Sequence, residues 1–310
     1  MTAITFSKKA TAEAVTDGMD LSGKTIVITG INSGIGYETM RVLALCGAHI
    51  IACARSIEKA QQACDSIAGK TTPAVCELSD MASVKHCAET IQALNTPIDI
   101  IICNAGIMAL PKLQVKDGLE LQFLTNHMGH FLLVYLLQEQ LKAADKARVV
   151  MLSSAGHMAA SKHGIDFDNL DGSKRYNAWQ FYGQAKLANL LTATAFNRRL
   201  VDAGVTANAV HPGVINTNLA RDVGGFIGMA MKTAPVKKLL DISIGKSIPQ
   251  GASTSCFVAT HPSLDGIGGR YFSDNAEAKP SKLGCDEILA EQLWRYSVDY
   301  LAPYIGAQQS

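Results

Sequence analysis

The chain has 310 residues, 48% of them hydrophobic, which is sufficient for a large buried core. Its 28 basic and 27 acidic residues nearly cancel, so the charge balance indicates neither a nucleic-acid partner nor an acidic tail. Because the eight cysteines form no metal-ligand spacing and no apolar run is long enough for a signal peptide or a membrane span, we expect a cytoplasmic protein with reduced thiols.

Strand and helix patterns alternate from Lys24 to about Val210, which predicts an α/β fold with a parallel sheet covered by helices on both faces. The predicted strands span residues 25–29, 48–54, 72–76, 98–103, 148–153 and 206–210, with a seventh at 269–272. The predicted helices span residues 37–46, 56–68, 81–94, 119–141 and 181–203. This order indicates a single doubly wound, Rossmann-like domain of about seven strands over residues 21–310.

Two segments depart from this alternation. Residues 1–20 are polar, and we interpret them as an extension that packs on the core or trails from it. Residues 214–250 combine glycines with apolar side chains, which favours a mobile flap on the substrate side or, alternatively, a loosely packed structural excursion.

The first predicted strand runs directly into a glycine-rich turn, Gly30-x-x-x-Gly34-x-Gly36, and a helix follows. Glycines let the backbone approach a pyrophosphate, and the helix N-terminus supplies free N–H groups and the positive end of its dipole. In NAD-binding proteins an acid about 20 residues further on binds the ribose hydroxyls. Ala54 and Arg55 stand there instead, which favours the 2′-phosphate of NADP(H) over NAD(H), unless Arg55 is an ordinary surface residue.

Two further segments follow predicted strands and are expected at the same edge of the sheet. Glu77 and Leu78 follow the third strand, where Glu77 either accepts from the adenine amino group or merely precedes a helix. Asn104-Ala105-Gly106 ends the fourth strand, where the cofactor is expected to cross the sheet.

Tyr182 and Lys186 are four residues apart in a predicted helix and therefore share one face. The ammonium group is expected to lower the pKa of the phenol, which would make the hydroxyl a usable acid or base near neutral pH. Such a pair is usually a partly buried Tyr beside a solvated Lys. The upstream nucleotide turn makes the catalytic interpretation the preferred one.

Together these residues resemble the short-chain dehydrogenase/reductase family, and most of all its retinol-dehydrogenase and WW-domain-oxidoreductase-like branch. The matching motifs occur in family order: Thr29-Gly30-x-x-x-Gly34-Ile35-Gly36, Asn104-Ala105-Gly106, Asn126, Ser153-Ser154, Tyr182-x-x-x-Lys186 and Pro212-Gly213. Glu77 and Cys103 depart from the residues usual in the family, which puts the adenine contact of Glu77 in question.

The resemblance implies a catalytic tetrad of Asn126, Ser154, Tyr182 and Lys186. Tyr182 would exchange a proton with the substrate oxygen, and Lys186 would lower the Tyr182 pKa and hold the nicotinamide ribose. Ser154, preferred over Ser153, would hydrogen-bond the substrate oxygen, and Asn126 would hold a relay water unless the backbone satisfies its side chain. The implied cofactor contacts are Gly30, Asn32, Ser33, Gly34, Ile35, Gly36, Arg55, Glu77, Leu78, Asn104, Ala105, Gly106, Tyr182, Lys186, Pro212, Gly213 and Thr217.

The preferred function is an NADP(H)-dependent oxidoreductase that interconverts a hydrophobic alcohol and its aldehyde or ketone. The apolar candidates for the substrate pocket are Met108, Leu110, Val214, Leu219, Phe226 and Met229. The resemblance also implies a homodimer or homotetramer built on the helices at 119–141 and 181–203. The alternatives are a non-catalytic NADP(H)-responsive binding protein and a sugar-nucleotide epimerase or dehydratase. No metal site is expected, although His127 and His130 lie three residues apart on a predicted helix.

Overall fold

A computed structural model of the protein describes residues 6–215 and 245–306. The strands, in chain order, are β1 Thr25–Thr29, β2 His49–Ala54, β3 Thr71–Val75, β4 Ile100–Cys103, β5 Val115–Lys116, β6 Leu119–Glu120, β7 Ala147–Leu152, β8 Val205–His211, β9 Tyr271–Ser273 and β10 Ala276–Glu277. The central sheet has the order β10-β9-β8-β7-β4-β1-β2-β3, while β5 and β6 form a separate hairpin. Neighbouring strands of the central sheet are parallel except for the edge pair β9 and β10.

The helices lie on both faces of this sheet. They are α1 Ala12–Val15, α2 Gly34–Leu45, α3 Ile57–Asp65, α4 Met81–Gln92, α5 Leu121–Phe123, α6 Gly129–Leu136, α7 Gln138–Lys142, α8 Ala178–Leu200, α9 Ile248–Thr260 and α10 Glu287–Ile305. One apolar core lies between the sheet and α4, α6, α8 and α10, and the other lies between the sheet and α1, α2, α3 and α9. The predicted Rossmann-like architecture with seven parallel strands is therefore confirmed, and β10 adds a short antiparallel edge.

The predicted helix at 119–141 is wrong at its start and in its middle. Leu119 and Glu120 belong to the hairpin strand β6, and the buried Glu120 carboxylate then caps α5 by accepting the N–H groups of Gln122 at 2.9 Å and Phe123 at 3.0 Å. A π-helical turn, Leu124–Met128, follows, in which the N–H of Gly129 donates to the carbonyl of Leu124. Apolar spacing alone reveals neither a side-chain cap nor the extra residue of a π turn.

The C-terminal helix α10 packs on α6 and α8, and the sequence analysis did not predict it. The Trp294 ring lies 4.9 Å from that of Phe131 and 5.0 Å from that of Phe196, measured between centroids. The Arg199 guanidinium lies 4.0 Å above the Trp294 ring. The apolar surface from which a homodimer or homotetramer was expected is thus partly covered within the chain.

The N-terminal segment contacts the body of the domain. Ala12 and Val15 of α1 are buried, and Gln250 of α9 donates to the carbonyl of Lys9 at 3.1 Å. Of the predicted flap at 214–250, residues 216–244 lie outside the described residues, and with them Thr217, Leu219, Phe226 and Met229. Its last residues belong to α9, where Ser247 and Gln250 form a capping box. Within residues 6–215 and 245–306, none of the helices combines the length and the apolar character needed to cross a membrane.

Candidate active site

The glycine-rich turn connects β1 to α2 in a compact conformation. Gly30 has a φ of +74°, and a Cβ atom on Gly36 would lie 2.2 Å from the Gly30 carbonyl oxygen. Ser33 is the N-cap of α2, and its hydroxyl makes no capping hydrogen bond. The first N–H groups of α2 are therefore not capped by that side chain, so the turn fits a pyrophosphate.

Thr29 and Asn104 fasten this turn to the end of β4. The Thr29 Oγ1 atom accepts the N–H groups of Asn104 at 3.0 Å and Ala105 at 3.1 Å. The Asn104 side chain donates back to the Thr29 carbonyl at 2.9 Å. The predicted cofactor segments at Gly30 and Asn104 are therefore brought together, with Asn104 holding the turn through its side chain.

The residues predicted to contact the adenosine differ in their exposure and in their hydrogen-bond partners. Ala54 is buried at the end of β2, whereas Arg55 is exposed and enters no ion pair among the described residues. The Glu77 carboxylate is engaged within its own turn, where one oxygen accepts from the Ser79 N–H at 3.1 Å and from its hydroxyl at 2.9 Å. Leu78 is buried, and its carbonyl approaches α6 so closely that a Cβ atom on Gly129 would lie 2.3 Å away.

Tyr182 and Lys186 lie on one face of α8, against the turn that begins at Ser154. Both side chains are almost fully buried. A Cβ atom on Gly156 would lie 2.8 Å from Cε1 of Tyr182, so the turn and the phenol ring are in close contact. Trp179 lies edge-on to the Tyr182 ring, with the centroids 6.2 Å apart. The sequence analysis missed Gly156 and Trp179, although a glycine two residues after Ser154 is a visible signal for such an approach.

The electrostatics differ from the sequence-based expectation for this pair. Burial raises the pKa of Tyr182, and the Ser154 hydroxyl offsets only part of that effect. Burial also lowers the pKa of Lys186 to about 8. The Lys186 Nζ atom donates to the carbonyl of Leu152 at 2.9 Å and lies 5.9 Å from the Tyr182 ring centroid. The net shift of the Tyr182 pKa is therefore upward in this arrangement, because burial is the dominant effect and the Lys186 ammonium is hydrogen-bonded to a strand carbonyl.

The two serines at the end of β7 have different partners. The Ser153 hydroxyl donates to the carbonyl of Lys186 at 2.7 Å and is buried. The Ser154 hydroxyl accepts from the Gly156 N–H at 3.0 Å, which leaves its own proton for Tyr182 or a ligand, and the residue is half-buried. This difference supports Ser154 over Ser153 as the group that would face a substrate oxygen.

Asn126 lies within the π turn, and the backbone satisfies its side chain. Its Oδ1 accepts the N–H of Ile107 at 2.8 Å, and its Nδ2 donates to the carbonyl of the same residue at 2.8 Å. Its own backbone carbonyl accepts from His130 Nδ1 at 2.9 Å. The Asn126 side chain is thus engaged as in the alternative interpretation, while the residue remains close to the site. A Cβ atom on Gly106 would lie 3.0 Å from Asn126 Oδ1 and 3.5 Å from Lys186 Nζ.

The remaining predicted contacts lie after β8. Gly213 has a φ of +97°, and a Cβ atom there would lie 2.7 Å from Cδ of Lys246. Lys246 pairs with Asp274 at 2.7 Å and donates its N–H to the carbonyl of Val214 at 2.8 Å. The Pro212-Gly213 pair therefore stands at the carboxyl end of the sheet, as expected. Thr217 lies outside the described residues.

A polar cluster behind the loop after β4 was not predicted. Gln122 accepts the N–H of Ala109 at 2.6 Å, and the Tyr176 hydroxyl donates to the carbonyl of Leu110 at 2.6 Å. Ala109 has a φ of +48°, which is unusual for a residue other than glycine. These hydrogen bonds fix the loop after β4, which carries the pocket candidates Met108 and Leu110. The periodicity of the sequence gives no signal for these bonds.

The Lys186 ammonium also bears on cofactor binding. It has three hydrogens, and its one hydrogen bond to the described residues is with the carbonyl of Leu152. A buried ammonium with donors to spare, close to Gly106 just after β4, fits the ribose of a nicotinamide dinucleotide. Among residues 6–215 and 245–306, no group of three or more His, Cys, Asp or Glu side chains is placed to hold a metal ion. His127 and His130 have separate partners, Ser297 for the first and Thr29 for the second.

A doubly wound parallel sheet with a glycine-rich first turn and a Tyr–Lys pair at its carboxyl edge defines a Rossmann-type oxidoreductase. Comparison with known proteins agrees, since the family model described as short chain dehydrogenase matches residues 24–167. The chain is 42% identical to short-chain dehydrogenase TIC 32 B, chloroplastic, of Brassica napus, covering 94% of this chain and 93% of the relative. It is 38% identical to retinol dehydrogenase 12 of Mus musculus, over 97% and 93% of the two chains. It is 37% identical to the WW domain-containing oxidoreductase of Homo sapiens, over 98% of this chain and 74% of the relative.

Solved structures agree with the fold. A crystal structure of an uncharacterized protein from Mycobacterium Paratuberculosis superposes with a TM-score of 0.74 at 32% identity, covering 93% of this chain and 97% of that chain. A gluconate 5-dehydrogenase from Burkholderia cenocepacia, in complex with NADP and tartrate, superposes with a TM-score of 0.63 at 21% identity, covering 82% and 94%. The protein belongs to the short-chain dehydrogenase family, and the resemblance stated from its motifs is confirmed.

Proposed function

We propose that the protein is an NADP(H)-dependent oxidoreductase that interconverts a hydrophobic alcohol and its aldehyde or ketone, with Tyr182 as the acid/base. The observation that carries the proposal is the pair of buried side chains Tyr182 and Lys186 with the half-buried Ser154, beside the segment 104–106 that packs on the glycine-rich turn. A binding protein without catalysis would not require a phenol and an ammonium to be buried together at the carboxyl edge of the sheet.

Each residue of the cluster has a separate task in this proposal. A bound nicotinamide ring supplies or accepts the hydride, and the protein positions the substrate and moves the proton. Ser154 donates its free hydroxyl proton to the substrate oxygen, and Tyr182 gives its proton to that oxygen in reduction or takes it in oxidation. Lys186 holds the ribose with the donors that Leu152 leaves unused, and its positive charge favours the tyrosinate form once both groups face a ligand.

The preference for NADP(H) rests on Ala54 and Arg55. No carboxylate at these positions repels a 2′-phosphate, and the exposed Arg55 guanidinium enters no ion pair within the described chain that would compete for it. A charge-assisted hydrogen bond of this kind contributes about 1.5–3 kcal/mol. Solvent screening at an exposed site favours the lower end of that range.

Two observations favour a hydrophobic substrate. Leu110 is buried and Met108 half-buried in the loop after β4, and Val214 is exposed in the segment after β8. A retinol dehydrogenase is also among the relatives at 38% identity.

The cytoplasmic location and the homo-oligomer belong to the same proposal. The free thiols of all eight cysteines support the cytoplasmic location. Because α10 packs on α6 and α8, an interface between subunits on these two helices has to accommodate α10.

The test is NADPH consumption by the purified protein with a panel of aliphatic, aromatic and retinoid aldehydes, compared with NADH under the same conditions. Tyr182→Phe is the matched variant because it removes the hydroxyl and keeps the ring. Turnover by wild type and its loss in Tyr182→Phe supports the proposal. Tight NADPH binding without turnover of any carbonyl, or of any alcohol with NADP⁺, indicates a binding protein instead.

A further inference from the structure

His130 is a fully buried histidine at the start of α6 that contacts two other parts of the site. Its Nε2 atom lies 2.8 Å from Thr29 Oγ1, at the end of β1. Its Nδ1 atom lies 2.9 Å from the backbone carbonyl oxygen of Asn126, in the π turn. The imidazole therefore bridges the strand that leads into the glycine-rich turn and the residue that holds the loop after β4.

The hydrogen bonds around His130 determine where its proton lies. The Asn126 carbonyl can only accept, so Nδ1 carries the hydrogen. Thr29 Oγ1 already accepts from the N–H groups of Asn104 and Ala105, so its single hydrogen is directed to the unprotonated Nε2. The ring is therefore neutral, which agrees with burial lowering the pKa of His130 to about 4.

These two contacts control a short segment beside Lys186. Thr29 holds the backbone N–H groups of residues 104 and 105, and the Asn126 side chain holds both backbone groups of Ile107. Gly106 lies between these two attachments, where a Cβ atom would be 3.5 Å from Lys186 Nζ. A displacement of either attachment moves the backbone that packs against the Lys186 ammonium.

We infer that His130 is a positioning residue for hydride transfer, which holds Thr29 and Asn126 in register so that residues 104–107 stay packed against Lys186. Among the described residues it is hydrogen-bonded to neither Tyr182 nor Lys186, and it acts through the two groups to which it is hydrogen-bonded. The inference rests on the proposed function, because the task of Lys186 in holding the cofactor is part of that proposal.

The experiment is a double-mutant cycle on the holoenzyme with His130→Leu and Thr29→Val. kcat, the KM for NADPH, the Kd for NADPH and the thermal midpoint are measured for each variant. His130→Leu is expected to lower kcat/KM for NADPH by about tenfold or more, since two buried hydrogen bonds are lost. When Thr29→Val is already present, His130→Leu is expected to lower kcat/KM for NADPH much less. Thr29→Ser keeps the hydroxyl and is expected to retain more activity than Thr29→Val.

Two conservative variants keep the test independent of folding. In His130→Asn the amide nitrogen takes the place of Nδ1 and retains the bond to Asn126, while His130→Gln reaches toward Thr29. Each is expected to retain more activity than His130→Leu. His86→Leu, at an exposed histidine of α4, is the control and should match wild type in every measurement.

The inference is overturned if the fold-reductions in kcat/KM caused by Thr29→Val and by His130→Leu simply multiply in the double variant. It is also overturned if His130→Leu lowers only the thermal midpoint and leaves kcat, KM and Kd at wild-type values. A wild-type protein that turns over no substrate would refute the proposed function separately. The NADPH Kd would then still decide this inference, because unchanged binding in His130→Leu would contradict it.

Discussion

Replacing Lys186 by Met should make the protein without cofactor more stable and should weaken the proposed binding of NADPH. Burial lowers the pKa of Lys186 from its ordinary value near 10.5 to about 8. This corresponds to about 3 kcal/mol that opposes the charged form in the folded state. Methionine has a similar length, keeps the apolar contacts and removes the charge. Subtracting about 1 kcal/mol for the lost hydrogen bond to Leu152 leaves a net stabilisation of about 2 kcal/mol at pH 7.

The Leu152 carbonyl is not left without a partner in this variant. It also accepts from Asn189 Nδ2 at 2.9 Å, so the substitution does not leave that buried acceptor without a hydrogen bond.

The direction in which stability changes with pH follows from proton binding. Between about pH 8 and the unfolded value near 10.5, the unfolded chain binds more protons at Lys186 than the folded chain does. Wild-type stability at this site therefore rises with pH over that window, and the advantage of Lys186→Met should shrink.

The assay is thermal unfolding of both proteins without cofactor at pH 7 and pH 10, together with a fluorescence titration of NADPH. Lys162→Met, at an exposed lysine, is the control and should shift neither measurement. Lower stability of Lys186→Met than wild type at pH 7, with a difference that does not change at pH 10, would refute the electrostatic reasoning. Retained NADPH affinity in the same variant would refute the ribose contact.

Three further predictions concern the same site. Tyr182→Phe should lower kcat by about 10²–10⁴-fold with little change in the NADPH Kd, because the hydroxyl acts in proton transfer, and steady-state kinetics with coenzyme titration measure both. Ala54→Asp with Arg55→Ile should reverse the preference from NADPH toward NADH by about one to two powers of ten, and equal use of both coenzymes by wild type would contradict it. Gly156→Ala should lower kcat more than it raises KM for NADPH, since its Cβ would stand 2.8 Å from the Tyr182 ring, and an unchanged kcat would show that the ring shifts without consequence.

The succession of strands along the chain and the glycine-rich turn could be predicted because they depend on features visible along the chain. Buried parallel strands appear as continuous apolar runs, and β7 and β8 were located to within one residue for that reason. Gly30 and Gly36 are recognisable because a side chain at Gly36 would collide with the turn itself. The Tyr182–Lys186 pair was singled out from its spacing, whereas Asn126 and Ser154 were implied by family resemblance.

The misses share a physical cause, since each depends on a contact between residues that are distant in sequence or on a local cap. The Glu120 carboxylate ends the hairpin and begins α5, so a helical apolar spacing that continued through Leu119 gave the wrong start. Helix α10 packs through Trp294 on a surface that Phe131 and Phe196 form together. These residues are far apart in the sequence, so the sequence pattern did not indicate the helix. The pKa of Tyr182 was expected to fall because burial could not be weighed before the packing was known.

The rigidity of the site comes from the attachment of α8 to the end of β7, and residues outside the Tyr-x-x-x-Lys spacing provide it. Ser153 donates to the backbone carbonyl of Lys186, and the Lys186 side chain and Asn189 both donate to the carbonyl of Leu152. The helix is therefore held at both the main chain and the side chain of Lys186. Because the Leu152 bond uses only one of three ammonium hydrogens, Lys186 is fixed in place by the strand and still has donors for a ligand. This explains how a lysine whose burial opposes its charge can be tolerated, since the energy lost in the free protein is recovered when a ligand accepts those hydrogens.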